Sequence, residues 1–96
     1  LIAIDGPDGL ERRRACRPMH LKHLKGLGDH IRAAGPFTSN DGNPCGSMLI
    51  IEAENMNQVE TMVAADPYVE AGVFESVKVR PWKYVVGTGL AAESLT

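Results

Sequence analysis

His20 is the residue of this 96-residue sequence best suited to move a proton, because a neutral imidazole, with a reference pKa near ~6.5, accepts a proton and returns it around neutrality. Its position follows from helical spacing. At about 100° per residue, Leu21, Leu24, Leu27 and Ile31 form one apolar stripe, and His20 and Arg17 fall inside it. Lys22 points away, Lys25 sits at the polar margin and His23 at the other margin. A polar residue within an apolar stripe calls for a hydrogen-bonded partner. Arg17, one turn before the imidazole, suits the acidic group or oxyanion of a ligand and equally suits a structural ion pair. A histidine on such a face also fits a satisfied core residue, so spacing alone leaves both readings open.

The remaining chemistry-bearing residues point elsewhere. His23 and His30 read as solvated helix residues and form no metal triad with His20. Cys16 and Cys45 lie far apart without CxxC or Cys/His ligand spacing, so no zinc site is expected. Cys16 reads as a small buried hydrophobe and Cys45 as a thiol in a Gly/Pro/Asn loop. Gly35, Gly46 and Gly72 read as turn glycines without phosphate-cradling spacing. Neither a metal nor a cofactor is expected.

The elements that must position His20 are short. The apolar run 1–4, ending at Asp5-Gly6-Pro7-Asp8-Gly9, reads as a buried strand and a turn. Leu1 already lies inside that run, which places the expected natural start at least one residue upstream. A helical pattern begins at Leu10, and Pro18 is expected to split it into a short helix and a second helix starting at that proline. Arg12-Arg13-Arg14 reads as a solvated helix face. Residues 32–37 suit an edge strand because Pro36 cannot donate to a ladder. Residues 38–47 read as a polar connection, and 47–53 as the clearest strand. Met56, Val59, Met62 and Val63 mark a helix over 55–65, with Asn55 or Asn57 as its cap. Residues 73–80 alternate as a half-buried strand closed by Pro81, and Tyr84-Val85-Val86 suits a further short strand or a contact with a partner subunit. The order β-α-β-β-α-β predicts an α+β, ferredoxin-like fold: a four-stranded antiparallel sheet with its helices on one face.

Several motifs occur together: Arg17-Pro18-x-His20-Leu21, Ala34-Gly35-Pro36, Gly46-Ser47 entering a strand, Asp66-Pro67-Tyr68, Ala71-Gly72-Val73-Phe74 and Val79-x-Pro81-Trp82. In that order and spacing they resemble the YciI-like (YCII-related) family, as one domain over 1–96 with a core of about 1–86 and a tail at 87–96. The resemblance implies a subunit that pairs into a dimeric α+β barrel, similar to the muconolactone isomerase and monooxygenase groups. It also implies an active site built from His20 and Asp66. One group of the family dehydrochlorinates a chlorinated hydroxyhydroquinone with such a pair. A carboxylate on one imidazole nitrogen fixes the tautomer, and Pro67 would hold the backbone beside Asp66. Asp before Pro is also an ordinary turn residue. Ser47 and Tyr68 each offer a hydroxyl near this inferred cleft, as further substrate-binding candidates beside Arg17. Trp82 reads as an interface or core anchor.

Composition narrows the partners. With 44% hydrophobic residues, 23% charged residues and a formal net charge of -2, the chain has no basic stripe for phosphate backbones, so no nucleic acid is expected. No apolar run reaches the ~20 residues that span a bilayer, and no leader pattern is visible, so the expectation is a cytoplasmic protein without membrane contact. A chain this short buries little more than ~60% of its unfolded surface, which favours a homodimer whose open sheet faces, with Val77 among their residues, cover one another. Two functions fit: a cofactor-independent enzyme performing proton transfer or elimination on a small cyclic or aromatic compound, or a non-catalytic module that binds such a ligand.

Overall fold

The computed structural model describes residues 1–89; residues 90–96, most of the tail expected at 87–96, lie outside the described residues. Strand β1 (Ile2–Asp5) leads into helix α1 (Gly9–Leu27) and one turn of 3-10 helix (Gly28–His30). Strands β2 (Ile31–Thr38) and β3 (Pro44–Ile51) form a hairpin, followed by helices α2 (Met56–Ala64) and α3 (Pro67–Glu70) and strand β4 (Phe74–Lys78). The strands make one antiparallel sheet in the order β2-β3-β1-β4, so the fold is the expected α+β βαββαβ arrangement. No helix among the described residues is long and apolar enough to cross a membrane.

Register decides which side chains the helices cover. Ala3 pairs with Ser47 on one side and Val77 on the other. Ala3 is fully buried and Ser47 nearly so, which puts this row under the helices. Val77 therefore faces the helices and not the open face, as the alternation had suggested. Ile2, Ile4 and Met48 point the other way and remain exposed. Phe37 pairs with Gly46 opposite Ile4 and joins that row.

Helix α1 departs from the expected break. Pro18 sits inside it, and both Pro18 and Arg14, whose carbonyl loses its helical N–H partner, face solvent that can take up the freed oxygen. The buried side of the unbroken helix runs through Gly9, Arg13 and His20, with Cys16, His23, Leu24 and Leu27 half-buried. Relative to the stripe read from sequence, this side is rotated toward His23 and away from Leu21 and Arg17, which are exposed. Ile31 has left the helix and opens β2. The hairpin strands are longer than expected, and residues 81–89 contain no regular strand. The cap of α2 is Asn55, whose side chain accepts from the Gln58 N–H at 2.9 Å.

Gly9 begins α1 where no larger residue fits. A Cβ there would lie 2.6 Å from Asp5 Cβ and 2.8 Å from its Oδ2. A helical Gly→Ala replacement ordinarily gains about 0.5–1 kcal/mol. Here the clash reverses the sign, and chemical denaturation of Gly9→Ala should show a loss of about 1–3 kcal/mol, the usual cost of overpacking.

Candidate active site

The site is assembled from α1, the turn into α3 and the sheet beneath them. Asp66 adopts an extended backbone at the start of α3, with Pro67 in the first helical turn. Its Oδ1 accepts the Tyr68 backbone N–H at 2.9 Å, the capping bond expected of Asp before a short helix. The same oxygen lies 2.7 Å from Nδ1 of His20. Both residues are buried, at 8% and 6% exposure. A carboxylate oxygen accepts, so Nδ1 is the donor in this contact, and Nε2 is the ring nitrogen that the Asp66 bond does not use. The turn reading of Asp66 and the partner reading thus describe one side chain.

Tyr68 lies flat against the imidazole, with ring centroids 3.7 Å apart and planes 5° from parallel. Phe74 meets the other part of that ring edge-on at 6.0 Å and 84°. Tyr68 is 2% exposed. Burial pushes its phenol above the ordinary value, outweighing the opposing charges of Arg13 and Arg17, while Asp66 adds to the rise. Tyr68 is therefore a packed plate beside His20 and not an open hydroxyl in a cleft.

Arg13 contradicts its reading as part of a solvated face. It is buried on the same side of α1 as His20, two turns earlier. Its Nε and Nη2 donate to Oδ2 and Oδ1 of Asp5 at 2.6 and 2.9 Å, and Nη2 also donates to Ser47 Oγ at 2.8 Å. Ser47 accordingly serves this guanidinium. The Arg13 Cζ stands 5.1 Å from the Tyr68 ring centre and 5.6 Å from that of Phe74. Arg12 reaches the far end of α3, where its Nη1 donates to the carbonyls of Ala71 and Gly72 at 3.2 and 3.1 Å. Arg12 and Arg14 both stay exposed, so only Arg13 leaves the solvated face. Arg17 is exposed one turn before His20, and no hydrogen bond or ion pair engages it among the described residues.

The other histidines are not free solvated groups. His23 Nε2 donates to the Met62 carbonyl at 3.0 Å and ties α1 to α2, and His30 Nδ1 donates to the Glu52 carbonyl at 2.7 Å. Among the described residues no cluster of three or more His, Cys, Asp or Glu could hold a metal ion. Cys16 is half-buried and Cys45 exposed. His20 borders neither of two depressions in the chain: an open one of about 740 Å³ at Asp29, His30, Arg32 and Glu52, and a void of about 10 Å³ at His23, Leu49, Met62 and Asp66. The His20 side chain itself keeps 11% exposure.

Comparison with known proteins bears on this arrangement. The sequence profile of the YCII-related domain matches residues 1–83. The chain belongs to the YCII-related family. Protein YciI of Escherichia coli O6:H1 is 41% identical to this YCII-related chain over 93 residues, covering 88% of it and 95% of the relative. An uncharacterised protein of Haemophilus influenzae matches to the same extent. Among solved structures, 5-chloro-2-hydroxyhydroquinone dehydrochlorinase (TftG) of Burkholderia phenoliruptrix AC1100, in complex with 2,5-dihydroxybenzoquinone, superposes with a TM-score of 0.80. It shares 32% identity over 88% of this chain and 91% of its own.

Sequence reasoning about this YCII-related chain missed Arg13 and Asp5. The signal was present: Gly9, Arg13, Cys16 and His20 keep helical spacing through Pro18 once the helix is not cut there. For Tyr68, the raised phenol sets a pH dependence. A neutral acid whose folded pKa exceeds its unfolded value of 10.0 stabilises the fold fully below that value and loses the contribution as pH rises through the folded pKa. Tyrosinate absorbance on alkaline titration should therefore show a late phase that Tyr68→Phe removes.

Proposed function

We propose that this protein is a cofactor-independent enzyme in which His20 and Asp66 form a proton-transfer dyad acting on a small cyclic or aromatic compound. The observation that carries the reading is the 2.7 Å contact between His20 Nδ1 and an Asp66 oxygen already held by the Tyr68 N–H. Asp66 orients the ring and stabilises the imidazolium, while Nε2 takes a proton from a ring carbon or hydroxyl. In an elimination, the electron pair released by that proton expels the leaving group from a conjugated carbon, and the imidazolium later returns the proton to solvent. Arg17, cationic and exposed one turn away, serves the anionic oxygen of such a compound. The similarity to a dehydrochlorinase supports elimination of HCl as the first chemistry to test.

A non-catalytic ligand-binding module is the competing reading, and the small exposure of His20 favours it. Turnover separates the two. Offered 5-chloro-2-hydroxyhydroquinone, the enzyme reading expects chloride release, and His20→Ala should slow it on the order of 10²–10⁴-fold. Asp66→Asn should cost no more than His20→Ala, and the double variant scarcely more than the worse single one, because residues acting as a unit are not additive. Saturable binding of this compound without chloride release would leave only the binding module.

We also propose that two copies pair through their open sheet faces, where Ile2, Ile4, Met48 and Phe37 are each at least 36% exposed. Ile4→Asp would bury an unpaired charge in that interface, so sedimentation should show wild-type dimers and variant monomers. A wild-type chain that sediments as a stable monomer at micromolar concentration contradicts the pairing.

A further inference from the structure

We infer that Arg13 is a positioning residue for His20, fixing the plane of the imidazole from two helical turns away through the ring of Tyr68. For its catalytic meaning this rests on the proposed role of His20, but its structural basis is independent. The Asp66 bond constrains the imidazole at Nδ1 alone, with the wide angular tolerance of a hydrogen bond, so the tilt of the ring about its Cβ–Cγ bond is held more tightly by whatever packs on its face. The direction of Nε2 is set only when the plane is also set, and the partner of that plane is Tyr68, 5° from parallel.

The charged group packed on Tyr68 is the Arg13 guanidinium. Arg13 and His20 stand seven residues apart, a rise of about 10.5 Å along one face of α1. The Tyr68 ring centre lies 3.7 Å from that of His20 and 5.1 Å from Cζ of Arg13, so this one ring touches both side chains of the helix face. Phe74 closes the edge. The guanidinium is itself immobile, because Asp5 on β1 takes two of its N–H groups and Ser47 on β3 another. The orientation of the imidazole is thus referred to the sheet by a planar fork that a lysine ammonium cannot reproduce. A buried ion pair is weak as a source of stability, since well-packed neutral replacements are often as stable. Its stricter consequence is geometric: it leaves the Tyr68 ring one place to lie.

The test needs no substrate. In the full chain, nuclear magnetic resonance of the imidazole protons, with those of His20 identified by their loss in His20→Ala, should show them moved upfield of His23 and His30 by the Tyr68 ring current, and Tyr68→Leu should abolish the shift. The double variant Asp5→Asn with Arg13→Gln, which leaves no buried charge, should keep a folded circular dichroism spectrum yet lose most of the shift. Arg13→Lys should lose much of it as well. If the double variant does not fold, Ser47→Ala frees one corner of the fork and keeps the ion pair, and a partial loss is then expected. A folded double variant with the full upfield shift, or an unchanged shift in Ser47→Ala, overturns the inference while leaving the dyad to its own turnover test; absence of turnover with the shift lost as expected overturns the dyad and leaves the positioning intact.

Discussion

One carboxylate oxygen, Oδ1 of Asp66, accepts both the first free N–H of α3 and the Nδ1–H of His20. That shared acceptor fixes where the short helix begins and how α1 lies against it. Hydrogen bonds to charged groups contribute about 1.5–3 kcal/mol each, and stripping a buried charge of its partner costs about 3–5 kcal/mol. Removing the carboxylate strips both donors of their acceptor, while removing the imidazole leaves it only the Tyr68 N–H. Arg12 closes the opposite end of α3 by binding the carbonyls of Ala71 and of Gly72, whose φ of +71° disfavours a side chain. The four-residue helix is therefore held at both ends by α1, which keeps Asp66, its cap, beside His20.

Much of the interior formed by the described residues is polar. Among the described residues, Ala3, Leu49, Met62, Tyr68 and Val73 are the buried apolar ones, and Arg13, His20, Ser47 and Asp66 are buried with them. Each of these polar groups meets a complementary one, the condition under which low dielectric strengthens an interaction instead of penalising it. Tyr68 joins the two clusters, touching His20 by one contact and Arg13 by another. Raised above its ordinary range by burial, its phenol stays neutral beside the carboxylate of Asp66. An ionised ring there would oppose the charge of Asp66 and favour Arg13 over His20.

The parts of this arrangement that sequence made legible are those with local causes. Asn55 caps α2 through a bond that spans three residues, and His20 lies on a buried helix face as its spacing requires. Arg13 was hidden because a proline is a poor guide to where a helix ends when its freed carbonyl faces solvent. Once α1 is cut at Pro18, Gly9 and Arg13 drop out of the periodicity that contains His20. Val77 was misplaced because only pairing with Ala3 shows which of two alternating rows the helices cover. No spacing rule reaches from His20 to an aspartate 46 positions away. That pairing came from resemblance to the YCII-related family, and the shared Asp66 oxygen is its physical form in this chain.

The protonation state of the imidazole carries the chemical argument, since a dyad needs Nδ1–H pointing at Asp66 and a bare Nε2 turned outward. Nitrogen-15 resonance of the His20 side chain, assigned against His20→Ala and followed through the pH range where the ring is neutral, reads this directly. The account predicts an Nδ1 shift of the protonated type with a strongly downfield, exchange-protected proton, and an Nε2 shift of the unprotonated type. An Nε2-protonated ring, or two nitrogens averaging as in free imidazole, would contradict it.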